Sequence, residues 1–126
     1  MKDETKGTIF SGAIFIAGLG IAGGIILHEK MEEQCKYLLH QCEITLDAIR
    51  NTWEKYVKED SSLTDEEKAR LQDKSVKMIN DATNLVVEGK TKNSIIAKKH
   101  LYKKAAKMYN EIYVHLISGE YGWFYN

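Results

Sequence analysis

Hydrophobic and polar positions along this chain fall into two regimes. From Thr8 to Leu27, TIFSGAIFIAGLGIAGGIIL, twenty residues pass without one ionisable side chain. At ~1.5 Å of rise per residue they make roughly 30 Å of helix, the thickness of a bilayer's hydrocarbon core. The pattern predicts a single transmembrane helix over 8–27, preceded by a short polar N-terminus over 1–7. From residue 28 onward the apolar positions recur instead at helical spacing among charged ones, which predicts an all-α domain compatible with water.

Three helices are expected in that domain. No turn signal interrupts 28–59, so the membrane helix continues into an amphipathic one. There Cys35, Cys42, Ile49 and Tyr56 repeat every seven residues, with Met31, Leu38, Thr45 and Thr52 at the complementary seam positions. Leu39, Leu46 and Trp53 widen the stripe beyond a narrow coiled-coil seam, which favours packing within the chain over a pure coiled-coil dimer. Asp60-Ser61-Ser62-Leu63-Thr64 breaks the pattern, and Thr64 with Glu67 forms a capping box for a second helix over 65–88. Its inward face is Leu71, Ser75, Met78, Ile79, Ala82, Leu85 and Val86, with Gly89 as a left-handed stop. A third helix over 94–118, capped by Asn93 or Ser94 and stopped by Gly119, carries Ile95, Leu101, Tyr102, Ala105, Met108, Tyr109, Ile112 and Leu116 on one broad face. Short connections make neighbours antiparallel. The expected architecture over 28–118 is a small bundle of three helices running up, down and up from the membrane, followed by an aromatic tail over 119–126.

The predicted membrane helix has a pattern of its own. Ala13, Ala17, Gly20 and Gly24 fall on one stripe, where small residues let two helices approach closely in lipid. Two rival readings of this stretch exist. Gly18, Gly20 and Gly23 match GxGxxG, with Glu43 twenty residues further on, the spacing of a dinucleotide-binding βαβ unit. That reading needs a second strand over Ile44–Ile49, where the pattern is helical. A cleaved signal peptide is the other rival. Its apolar run is usually shorter, and here the preceding residues include Asp3 and Glu4.

Composition narrows the picture further. Among 126 residues there is no proline, and formal net charge is zero. Long uninterrupted helices are therefore favoured, and no global field recruits a polyanion. Locally the balance shifts. Residues 90–126 hold seven lysines against Glu111 and Glu120, whereas 28–60 holds eight acids against five bases. Lys98, Lys99, Lys103, Lys104 and Lys107 are expected on the outer side of the third helix, as a patch able to follow phosphates of nucleic acid or lipid. Arginine is absent from it, so base-edge readout is disfavoured.

Little points to chemistry. Cys35 and Cys42 stand two helical turns apart, ~10.5 Å along the axis, too far to share a disulfide or a metal ion. They are expected to be core thiols, or else to pair across a parallel dimer. No Cys/His pair at hydrogen-bonding spacing, no HExxH motif and no phosphate-cradling loop in a strand-to-helix context occurs, so no enzyme, metal or cofactor is expected. Tyr121, Trp123, Phe124 and Tyr125 are costly to leave in water, and either fold back on the bundle or dock onto a partner. The partners implied are the bilayer, further copies of the chain or other subunits of a membrane complex, with nucleic acid a less favoured alternative.

Overall fold

Thr64 starts the most sharply defined helix of the domain. Its hydroxyl accepts from the Glu67 N–H at 3.1 Å, and the Glu67 carboxylate accepts from the Thr64 N–H at 3.0 Å, so two orphan donors of the first turn are satisfied reciprocally. In the computed structural model, which describes residues 28–125, this helix is the second of three: α1 (His28–Thr52), α2 (Asp65–Thr91) and α3 (Ile95–Ile117). All regular structure among the described residues is helical. No helix among them is long and apolar enough to cross a membrane; the expected span over 8–27 lies outside the described residues.

The connections explain themselves locally. Asp60 Oδ1 accepts from both the N–H and the hydroxyl of Ser62, at 2.9 and 2.6 Å, and so fixes the turn between α1 and α2. Ser94 caps α3 by accepting from the Ala97 N–H. At the far end of α3, Gly119 adopts φ +76°, its N–H reaches the Leu116 carbonyl, and the Glu120 N–H reaches that of His115. That pair of bonds is a Schellman motif, and only a residue without a Cβ enters its left-handed corner freely.

Gly89 behaves differently from its expected role as a stop. Helix α2 runs through it to Thr91, and Gly119 is the only glycine at positive φ among the described residues. Gly89 is buried against α3, and a Cβ built there would lie 2.6 Å from Cε1 of Tyr102. The glycine is a packing notch for a tyrosine ring and not a helix terminator.

A second departure lies at the end of α1. Residues Trp53–Val57 form one π-helical turn, closed by the Lys58 N–H on the Trp53 carbonyl at 2.9 Å. The wider turn inserts one residue into the seven-residue repeat. Val57 therefore takes the inward position, at 0% exposure, and the expected core residue Tyr56 turns out to 38%.

The three helices are not equivalent. Both α1 and α2 pack along α3, but they hardly touch each other. The direction of packing follows from individual contacts. Cys42 Sγ lies against the Tyr102 carbonyl, while Thr83 of α2 shares a 2.7 Å hydrogen bond with Tyr109 of α3 and Gly89 faces Tyr102. Thus α1 and α3 run parallel and α2 runs back between their ends. Being covered from two sides, α3 buries Ala106, Tyr113 and Ile117 in addition to its expected face.

Candidate functional site

Among the concave places of the described domain are one of about 500 Å³ beneath the tail, lined by Leu63, Arg70, Leu71 and Tyr121, and two others at opposite ends of the bundle. The first of those two is an apolar groove of about 470 Å³ between α1 and α2. Leu46, Ile49 and Trp53 form one wall, Val76 and Ile79 the other, and Leu116 of α3 the floor. Arg50, Glu54 and Gln72 stand among its lining residues. Ser75, at 3% exposure, also lines it, and its hydroxyl finds no hydrogen-bond partner within the protein. The groove exists because α1 and α2 each satisfy their apolar stripe on α3 and leave the space between their outer flanks uncovered. Val76 is 46% exposed at this lip.

The second is a polar cavity of about 550 Å³ at the opposite end, between the first turns of α1 and of α3. Lys36, Lys92 and Lys98 line it, together with Glu32, Cys35 and Asn93. This placement corrects part of the expected basic patch. Lys98 does not stand on the outer side of α3: it is half-buried and faces α1, because its position lies within the stripe that continues into Tyr102 and Ala105. Lys99 and Lys103 are half-buried on the flanks of α3, and of the five only Lys104 and Lys107 are exposed. The five lysines therefore form no single face. Lys36 and Lys92, which join Lys98 here, come from other elements, and no spacing in the sequence connects them.

Cys35 and Cys42 are free thiols buried against α3. Burial pushes the Cys42 thiol up to about 12, with the nearby Glu43 carboxylate acting in the same direction. The Cys35 thiol is also raised by burial, against the opposing pull of Lys98 and Lys99. Neither is poised as a thiolate nucleophile. A bond between copies requires either thiol to leave the core.

The aromatic tail lies on the domain. Tyr121–Tyr125 form a 3₁₀ turn in which the Trp123 ring stacks on His115, with centroids 4.2 Å apart and planes 6° from parallel. Phe124 is buried with its ring edge-on to Trp123. The Tyr121 hydroxyl donates to Asp60 Oδ2 at 3.0 Å, which ties the tail to the α1–α2 turn. Burial, and then that hydrogen bond, push the Tyr121 phenol up to about 12. Asp60 is held below the usual carboxylate range, first by its bonds from Ser62 and then by Tyr121. Tyr125 is the tail ring left largely exposed.

The remaining expected site residues, Ala13, Ala17, Gly20 and Gly24, lie outside the described residues, as do Gly18, Gly20 and Gly23 of the GxGxxG match. What the βαβ reading needed downstream is described and is absent. Ile44–Ile49 lies in the middle of α1, and Glu43 is an exposed helical residue. No group of three or more His, Cys, Asp or Glu side chains among the described residues is arranged to hold a metal ion. Comparison of the chain with protein-family models, with curated proteins and with solved structures finds no match in any of the three.

Proposed function

We propose that this chain is a non-enzymatic, single-pass membrane protein whose helical domain serves as an assembly subunit, receiving a helix of another subunit in the groove between α1 and α2. The observation that carries the reading is the arrangement of α1 and α2 on α3 without closure on each other. Four helices of this length make a closed bundle, and three placed this way leave an open groove with apolar walls. The run over 8–27 supplies the membrane attachment, and its stripe of Ala13, Ala17, Gly20 and Gly24 offers a second contact within the lipid. The absence of a catalytic motif in the sequence supports a role in assembly over turnover.

Photo-crosslinking tests this reading. A photoreactive residue in place of Val76, at the lip of the groove, is expected to give defined higher-mass adducts in native membranes, and the same residue in place of Asn84, exposed elsewhere on α2, none. A chain that gives no adduct from either position, and is monomeric in detergent at every concentration, would overturn it. A second reading, capture of a phosphate-bearing ligand by the lysines at the start of α3, is favoured by the cavity that Lys36, Lys92 and Lys98 share.

A further inference from the structure

The fold sorts the charge of the domain into two poles. Because α1 and α3 run parallel, the α2–α3 connection and the first turns of α3 return to the end at which the apolar run joins His28. The stretches grouped at that end, 28–43 and 85–107, hold nine lysines against five glutamates. The stretches grouped at the other end, 44–84 and 108–125, hold eleven acids against seven bases. A chain of zero net charge is thus dipolar along its axis, basic towards the apolar run and acidic away from it.

The lysine cavity sits at the basic pole at a definite height. It lies level with Cys35, eight residues beyond Leu27, which is roughly 12 Å at ~1.5 Å per residue if the proposed anchor continues into α1 as one helix. A head-group layer of about 5–7 Å ends short of that height; the lysine side chains reach down across the difference, and the surface potential of an anionic layer, felt over about 8 Å, draws them. Three lysines from three elements line one concave space there. Lys36 and Lys98 have no ion pair among the described residues, and Lys92 holds only an exposed contact of 3.6 Å with Glu88. Lys98 is half-buried and Lys36 and Lys92 are exposed, so with Glu32 as the one carboxylate among the lining residues the cavity carries an excess of positive charge that favours an anion.

We propose that this cavity is a binding site for the phosphate group of an anionic phospholipid in the bilayer that holds residues 8–27, with Lys36, Lys92 and Lys98 as its ligands. The inference rests on the membrane-anchor part of the proposed function, and not on the groove. A lipid held there fixes the rotation of the domain about its anchor, and so the direction in which the groove between α1 and α2 faces along the membrane.

The test uses the full chain reconstituted in nanodiscs of phosphatidylcholine, alone or with about 30 mol% phosphatidylserine. Retention after a carbonate wash is scored first, and a chain that washes off overturns the anchor and this site with it. With the chain retained, acetylation by an amine-reactive ester is expected to slow by about 5-fold or more at Lys36, Lys92 and Lys98 in the anionic discs, with Lys55 and Lys74 at the acidic pole unchanged. The variant carrying Lys36→Gln, Lys92→Gln and Lys98→Gln is expected to stay in the disc but to lose the phosphatidylserine that co-purifies with the native chain in detergent. Equal acetylation in both discs overturns the site while leaving the anchor intact. Protection in neutral discs by inorganic phosphate, or by a single-stranded oligonucleotide alone, assigns the cavity to a different anion and overturns the lipid.

Discussion

Two residues show how much a single side chain decides here. Gly89 looks like a terminator and acts as a notch: its missing Cβ is the space occupied by the Tyr102 ring. Gly89→Ala gains roughly 1 kcal/mol in helix propensity, while forcing a buried ring aside costs about 1–3 kcal/mol. The variant is therefore expected to melt lower, by about 4–8 °C for each net kcal/mol. Thermal unfolding followed by circular dichroism checks this, and a rise in melting temperature would show that Tyr102 has room to move. Tyr121 and Cys42 govern alkaline behaviour. Each holds its proton more tightly folded than unfolded, with ordinary values of 10.0 and 9.0 raised to about 12. The folded state then binds more protons, so stability from these groups is fully present below pH 9 and is lost as pH rises towards 12. Tyr121→Phe is expected to flatten the fall in stability between pH 10 and 12, measured by urea unfolding at each pH. An unchanged slope would show that the phenol is raised neither by burial nor by Asp60.

At the scale of the element, the π-turn at Trp53–Val57 is the feature a heptad reading misses. It exchanges Tyr56 for Val57 in the core, and the two side chains give opposite predictions for the two registers. With the turn in place, Val57→Ala removes packed volume from a fully buried site and is expected to cost about 1–3 kcal/mol, more than Tyr56→Ala despite the smaller side chain. The reverse order in denaturant unfolding would mean that α1 keeps its regular period to its end. Helix α3 makes the complementary point. Its inward face was legible as Tyr102, Ala105, Tyr109, Ile112 and Leu116, yet Ala106, Tyr113 and Ile117 are buried too, because a helix between two others is covered over a wider arc than its own amphipathic stripe announces.

For the whole molecule, the tail closes the acidic end. Phe124 is among the largest fully buried side chains, and Trp123 stacks on His115 of α3. Phe124→Ala is expected to cost about 3–5 kcal/mol, a large part of the stability of a domain this size. Loss of cooperativity in thermal unfolding would accompany it; a cost within about 0.5 kcal/mol would place the tail outside the folded unit. With the tail tucked in and the thiols buried, the groove between α1 and α2 is an apolar surface left open on the described domain, alongside the exposed side chains of Val87 and Ile96. Both thiols are correspondingly expected to resist Ellman's reagent at pH 8 until the chain unfolds, as burial and a raised thiol value require.

The sequence alone determined what depends on neighbours along the chain. The capping box at Thr64 and Glu67, the stop at Gly119 and the inward faces of α1 and α2 follow from spacing, because caps, turns and amphipathic stripes are local physics. The tertiary structure decided whatever depends on which elements meet. It set α3 between the other two, left the groove open and turned Lys98 inward beside Lys36 and Lys92. A lysine in a periodic pattern reads as solvent-facing until a second helix arrives beside it, and a glycine reads as a stop until a ring fills the place of its Cβ. Such pairings join residues some sixty positions apart, as Cys42 with Tyr102 and Asp60 with Tyr121, and no periodicity within a single helix encodes them.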